Sequence, residues 1–109
     1  MPSLFVVTGA VQWQGAGRDM PNWAYPEFDW DDGNIDHILD RHGIEPEAAE
    51  AVFYNGAHVI RRGDRYHVFG QDSGRRYLFL VCVLRERAVH VISAREMTRE
   101  ERQYYDRHR

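Results

Sequence analysis

Four short strand-like segments joined by tight turns fill residues 58–93, and they constrain the fold more than any other feature. The predicted strands are His58–Arg61, Arg65–Phe69, Tyr77–Leu84 and Ala88–Ser93. Gly63 lies in the first turn, and the charged residues 85–87 form the last one. Strands that follow one another through such short turns run antiparallel, so this stretch predicts an antiparallel meander. The run 77–84 is almost entirely apolar, which predicts a strand buried on both faces.

Three helices flank this meander. They are predicted over roughly Asp32–His42, Pro46–Tyr54 and Arg99–Arg107. The first has an apolar stripe at helical spacing, formed by Ile35, Ile38, Leu39 and His42. Asp31 or Asp32 can cap its start and Gly43 its end. Thr98 and Glu101 form the capping-box pattern that starts the last helix. Helices gathered before and after an antiparallel sheet of about four to five strands predict an α+β fold.

The first 27 residues differ in character from the rest of the chain. Leu4–Thr8 predicts one short strand, and glycines and prolines mark the remainder as loop. We therefore predict an N-terminal extension over residues 1–27 and one domain over residues 28–109. That domain opens on Phe28–Trp30, whose alternation predicts a short strand.

The single cysteine and the absence of long apolar segments bear on the compartment. Cys82 excludes an internal disulfide and fits a reducing environment. Its place inside an apolar run favours a buried structural thiol over a nucleophile. No apolar run is long enough to span a bilayer, and the N-terminus has no signal-peptide pattern. We therefore expect a cytoplasmic protein that does not enter a membrane.

The net charge of −3 conceals two halves of opposite sign. Residues 1–57 hold 2 arginines and 10 acidic residues, whereas residues 58–109 hold 12 arginines and 7 acidic residues. A basic half suits a polyanion such as RNA. An acidic half suits a solvated face or a basic protein partner, and the two halves can also neutralise each other within the fold. All basic side chains are arginine, which can grip phosphate with two parallel hydrogen bonds.

Two sequence motifs carry a resemblance to a known family. They are Phe28-Asp29-Trp30-Asp31 followed by Arg41-His42-Gly43-Ile44, and Ile92-Ser93-Ala94-Arg95 followed by Thr98-Arg99-Glu100-Glu101-Arg102. Together they resemble the opening and closing signatures of BrnT-type toxins, over about residues 28–109. The resemblance implies a RelE-like fold and a type II toxin that cleaves RNA and arrests translation.

The same resemblance implies a partner and points to one departure. The partner would be an antitoxin with a ribbon-helix-helix DNA-binding region. Two toxins and an antitoxin dimer would form a heterotetramer or larger complex that represses its own operon through the antitoxin. Family members commonly carry a lysine where this chain has Asn34, and asparagine supplies no cation.

Metal-independent RNA cleavage needs an acid, a base and cations for the phosphorane, and this chain is rich in histidine and arginine. We predict His42 as acid or base, with Arg65 and Arg95 as phosphate and transition-state clamps. Further RNA contacts are predicted at Arg85, Arg99 and Arg102. For each arginine a surface salt bridge is the structural alternative, and for His42 it is packing on the apolar stripe.

Other sites and functions are weighed against this hypothesis. His58, His67 and His90 lack the spacing of a zinc site, so no metal or other cofactor is predicted. The tryptophans, at positions 13, 23 and 30, suit core packing better than base stacking. The rival function is a catalytically inert relative that binds an antitoxin as co-repressor, or a free-standing RNA-binding module.

Overall fold

The computed structural model describes residues 6–8 as backbone and residues 21–109 in full, and in this part of the chain one sheet packs with three helices. The elements are β1 (Val6–Thr8), α1 (Asp32–His42), α2 (Pro46–Tyr54), β2 (His58–Arg62), β3 (Arg65–Gln71), β4 (Tyr77–Arg85), β5 (Ala88–Glu96) and α3 (Arg99–His108). The predicted α+β fold is confirmed, with two helices before the main sheet and one after it.

All five strands pair antiparallel in sequence order. β5 runs three residues beyond its predicted end, so that Arg95 pairs with Phe79 inside the ladder. This ladder contains a bulge, because the register shifts between Val81 and Cys82 and leaves Ile92 as the extra residue of β5. The predicted strand 28–30 is reduced to a single parallel bridge between Phe28 and Val89.

The helix ends follow the predicted capping chemistry. Asp31 caps α1, and its side chain accepts the backbone N–H of Asn34. Gly43 ends α1 in the left-handed conformation, at φ 65°. At α3 the Thr98 side chain accepts the Glu101 N–H, while the Glu101 carboxylate accepts the Thr98 N–H. This reciprocal pair confirms the predicted capping box.

The first face of the sheet lies under α1 and α2 and forms the main core. Its fully buried members include Ile38, Val52, Phe53, Leu80 and Val91. The predicted stripe of α1 is wrong in part, because Leu39 and His42 are exposed. α1 lies over the edge strand β5, so only a narrow strip of the helix faces the core.

The second face of the sheet is only partly covered by helix in the described part of the chain. α3 packs on one end of it, over a smaller cluster formed by Ile60, Phe69, Phe79, Met97 and Tyr105. Side chains alternate along each strand, so polar residues of the same strands share this face. We call the part beyond α3 the open half; it consists of Arg62, Arg65, His67, Val83 and His90.

Candidate functional site

His67 lies at the centre of a cluster of charged side chains. Its strand neighbours across the second face are Ile60 and Val81, and its ring meets Phe79 edge-on at 5.2 Å. Partial burial lowers the pKa of His67 below its ordinary value of 6.5, because a cation there loses hydration. The charge of Arg62 lowers this pKa further, and those of Arg65 and Arg95 do the same, while Glu101 opposes them.

The consequence for His67 is a neutral imidazole at neutral pH. Within residues 21–109, no hydrogen bond engages either of its ring nitrogens. A neutral imidazole with an unengaged nitrogen, surrounded by cations, can accept a proton from a group bound beside those cations. His67 therefore has the properties of a general base next to an anion site.

Arg62 and Arg65 supply the cations nearest to the β2–β3 turn. They are partners across the hairpin, and both are exposed. Neither forms an ion pair with any residue that the structure describes. Two arginines that are paired across a hairpin, on one face and without a described carboxylate partner, form a favourable place for a phosphate.

Arg95, the second predicted clamp, is held by the first turn of α3. Its two terminal nitrogens donate to the two carboxylate oxygens of Glu101, each at 2.8 Å. The Glu96 carbonyl accepts a further hydrogen bond at 3.1 Å, and the guanidinium lies 4.6 Å above the Phe79 ring. Arg95 thus connects β5 to the capping box of α3, and its charge reaches His67 from a fixed position.

The predicted RNA contacts are spread over the surface. Arg85 ends β4 and pairs with Asp29 at 3.4 Å. Arg102 lies 4.1 Å above the ring of Tyr77, which begins β4. Arg99 is an exposed residue of the first turn of α3. The two ends of β4 are roughly 26 Å apart, so these three arginines do not form one cluster.

His42 is not brought together with Arg65 and Arg95. It is exposed at the end of α1, on the helix-covered side of the sheet, and its ring meets His37 at 6.4 Å. The two arginines point to the second face. Sequence reasoning weighed His67 only as a zinc ligand and missed it as a base, although its i, i+2 spacing from Arg65 in a predicted strand already places both side chains on one face.

A second polar junction joins the segment before α1 to the edge of the sheet. His90 is 8% exposed, and its Nδ1 lies 3.1 Å from the carbonyl oxygen and 3.3 Å from a carboxylate oxygen of Asp29. Asn34, which is 7% exposed, reaches the same place. The Asn34 side chain is thus buried and hydrogen-bonded.

The cysteine and the described tryptophans do not contribute to the cluster around His67. Burial strongly raises the pKa of the Cys82 thiol, as expected for an inert cysteine. Trp23 is buried, and the indole of Trp30 donates to Glu50 at 2.7 Å; Trp13 lies outside the described residues. Within the described ranges, no three His, Cys, Asp or Glu residues are arranged to hold a metal ion.

Comparison with known proteins decides the family. The family described as "Ribonuclease toxin, BrnT, of type II toxin-antitoxin system" matches residues 30–101, which is well over half of the chain. The chain belongs to the BrnT ribonuclease toxin family. No individually curated protein matches the sequence.

Membership of the BrnT family indicates a ribonuclease toxin of a type II toxin–antitoxin system, whose partner is a protein antitoxin. The matched residues include α1, α2, the strands β2–β5 and the first turn of α3. They therefore contain both His67 and the arginines around it. Among the described helices, none has the length and apolar character needed to cross a membrane.

Proposed function

We propose that this BrnT-family chain is a metal-independent endoribonuclease that inhibits translation by cleaving RNA on the open half of the second face. The observation that carries the proposal is the His67 imidazole, which forms no hydrogen bond with a described residue and lies on the same face as Arg62 and Arg65, two cations without a described carboxylate partner. The lowered pKa of His67 supports it. Family membership supports the ribonuclease activity itself. The proposal assigns that activity to a specific surface.

The proposed reaction is a transesterification. His67 accepts the proton of a ribose 2′-hydroxyl, and the oxygen attacks the adjacent phosphorus. Arg62 and Arg65 stabilise the charge that accumulates on the phosphorane. The bond to the 5′-oxygen then breaks, and that oxygen receives a proton from an acid. The products are a 2′,3′-cyclic phosphate and a 5′-hydroxyl end, and no metal ion takes part.

Arg95 has a modified role in this proposal. Its guanidinium group is hydrogen-bonded to Glu101, so we assign it the role of a positioning residue. It holds α3 in place and provides a positive charge near His67. Arg65 remains the proposed clamp. Arg85, Arg99 and Arg102 remain proposed contacts with more distant RNA phosphates, each with an effect on affinity that weakens as salt rises.

Cleavage of a single-stranded RNA oligonucleotide in the presence of EDTA tests the proposal. We expect His67→Ala to lower the cleavage rate by about 10²- to 10⁴-fold, as for loss of a general base. Arg65→Ala should lower it similarly, whereas His42→Ala should have little effect. Cleavage that stops in EDTA, or that depends on His42 and not on His67, would overturn the assignment.

Family membership indicates only a protein antitoxin, and we extend this to its fold type and to the composition of the complex. We infer a ribbon-helix-helix antitoxin that forms a complex with two toxins and two antitoxins, or a larger one, and binds operator DNA in the cytoplasm. Co-expression with the neighbouring reading frame, followed by mass measurement and operator binding, tests this.

We propose residues 28–109 as the toxin domain. Trp23, in the segment before it, packs against the core of this domain.

The second candidate function is an inert toxin relative that acts as co-repressor. Asn34 favours it, because this buried amide supplies no cation at the position where the resemblance implies that family members commonly carry a lysine. Expression of the chain without an antitoxin distinguishes the two functions. Arrested growth that Arg65→Ala relieves, with antitoxin binding retained, supports the ribonuclease. Normal growth together with intact RNA supports the co-repressor.

A further inference from the structure

The Asn34 side chain fixes the orientation of the polar junction at His90. Its oxygen accepts the backbone N–H of Asp31 at 2.8 Å, so the amide nitrogen must face the opposite way, toward the sheet. That nitrogen donates to the carbonyl oxygens of Asp29 at 3.2 Å and Val91 at 3.1 Å. Both amide hydrogens therefore have acceptors other than His90.

The tautomer of His90 follows from this assignment. With no amide hydrogen left for it, Nδ1 of His90 must carry its own proton and donate to the Asp29 oxygens at 3.1 and 3.3 Å. The neutral ring then has its lone pair on Nε2. A carboxylate on Nδ1–H both orients an imidazole and stabilises the cation that forms when Nε2 takes up a proton.

The free nitrogen of His90 belongs to the open half. Val89 and Val91 point into the main core, so the ring between them lies on the second face, opposite Val83. No described residue bonds to Nε2, and this atom is not among the buried polar atoms that lack a partner, so it meets solvent. The groups that face the ring are Asp29 with its partner Arg85, and the more distant Asp31.

We propose that His90 is a second catalytic residue, the general acid that protonates the 5′-oxygen leaving group, with Asp29 and Asn34 as its positioning residues. This inference rests on the proposed function of the open half. Protonated His90 gives the proton on Nε2 to the 5′-oxygen as the P–O5′ bond breaks. His67 has meanwhile gained the proton of the 2′-hydroxyl, so the protons balance over one turnover.

The separation of the two histidines is compatible with these roles. β4 alone lies between β3 and β5, so the two strands are roughly 10 Å apart, with His90 displaced two residues along β4 from His67. An attacking oxygen, the phosphorus, the leaving oxygen and one hydrogen bond at each end together span up to about 10 Å. Nδ1 of His90 is held at Asp29 on the outer edge of β5, so Nε2 is the ring nitrogen left to face the substrate.

The deciding experiment compares two substrates that differ in their leaving group. One is an RNA dinucleotide, whose 5′-alkoxide requires an acid, and the other is a nucleoside 3′-(4-nitrophenyl phosphate), whose phenolate leaves without one. We expect His90→Ala to lower the rate at least 100-fold on the dinucleotide and less than 10-fold on the nitrophenyl ester. His67→Ala should slow both, and the control His37→Ala neither.

The outcomes distinguish a failure of the role assigned to His90 from a failure of the proposed function. Equal losses on both substrates would make His90 merely structural, and no loss would remove it from the reaction. A wild-type chain that cleaves neither substrate would overturn the proposed function and this inference with it. Independently of activity, ¹⁵N NMR of the imidazoles should show His90 protonated at Nδ1 in the neutral form, and an Nε2–H tautomer would contradict the geometry.

Asp29→Asn provides a readout that a purely structural role would not affect. The amide keeps the shape of the carboxylate but offers the Nδ1–H of His90 a weaker acceptor, so the ring is held less firmly in its catalytic orientation. We expect Asp29→Asn to lower the rate on the dinucleotide by about 10-fold or more and to leave the rate on the nitrophenyl ester within about 3-fold of wild type. A parallel loss on both substrates would overturn the positioning role.

Discussion

The two faces of the sheet are made from alternate residues of the same strands, yet they differ in chemistry. On β4, Leu80 is fully buried beneath the helices, while its neighbour Val81 is only partly covered by the α3 cluster. On β3, Val68 is fully buried, while His67 stands among arginines. One face therefore serves stability, and the other combines a small core with groups able to perform chemistry.

This difference shows where such a small domain can keep polar groups. Helices α1 and α2 take up the first face, and the short helix α3 leaves part of the second face without helical cover among the described residues. A histidine or arginine beneath α1 and α2 would lose its hydration without compensation. Arg62, Arg65 and His67 on the open half of the second face keep contact with water, whereas His58 beneath α3 is buried.

Substitutions at neighbouring positions of β4 give the largest expected contrast in stability. Leu80→Ala should lower the free energy of unfolding by about 2–5 kcal/mol, because it leaves a cavity in the main core. Val81→Ala should cost roughly 1 kcal/mol, since that side chain already meets solvent. Urea unfolding of both variants measures the difference, and equal losses would contradict the contrast between the faces.

A glycine on the first face tests how closely α2 approaches the sheet. A Cβ atom at Gly70 would lie 2.8 Å from Cγ1 of Val52 and 3.3 Å from its carbonyl oxygen. Gly70→Ala should therefore destabilise the chain by about 1–3 kcal/mol through overpacking. The control Gly74→Ala, whose Cβ would be 3.6 Å from Asp72, should change stability by less than about 0.5 kcal/mol. An unchanged Gly70→Ala variant would disprove this contact.

The link between Arg95 and Glu101 tests the attachment of α3 to the second face. Glu101→Gln keeps a capping side chain but removes the charge, and it should cost about 1 kcal/mol at pH 7. Arg95 lowers the pKa of Glu101 below its ordinary 4.5. The contribution is therefore present above about pH 4.5 and is lost as the pH falls through the lowered native pKa. A difference between wild type and variant that persists at pH 2 would contradict this origin.

His58, beneath α3, gives the smallest expected effect. Its Nε2 lies 2.9 Å from the Tyr104 hydroxyl, while Nδ1 is buried without a partner. Burial lowers the pKa of His58 below 6.5, so the unfolded chain takes up the proton first as the pH falls. Stability should be full above about pH 6.5 and decrease below it. His58→Gln should make this slope shallower in urea unfolding between pH 7 and pH 5, and an unchanged slope would refute the assignment.

The sequence was enough to predict the helices, strands and turns, but not which side chains meet in the folded chain. The capping box at Thr98 and the turn at Gly63 depend on residues close in sequence, and both were predictable. The surroundings of His67 depend on strand register and on the bulge after Val81, which no local pattern specifies. The junction at His90 depends on the docking of residues 27–29 along the edge of β5, which only the folded chain reveals.

The contacts of Arg95 and Asn34 were not predictable for the same reason, because they too depend on how the elements pack. The motif around Arg95 marked it as important, but its bidentate bond to Glu101 requires the position of α3 on the sheet. Asn34 was conspicuous as a missing cation, whereas its burial and four side-chain hydrogen bonds or close polar contacts depend on where α1 begins.

The most direct test of the central claim is to locate RNA on one face of the sheet. Amide chemical shifts of the ¹⁵N-labelled chain would be followed as it is titrated with an oligonucleotide that carries 2′-methoxy groups and resists cleavage. We predict that the largest shifts fall on Arg62, Arg65 and His67 and on the facing residues of β4 and β5. Shifts concentrated on α1 and α2 instead would contradict the assignment of RNA cleavage to the open half.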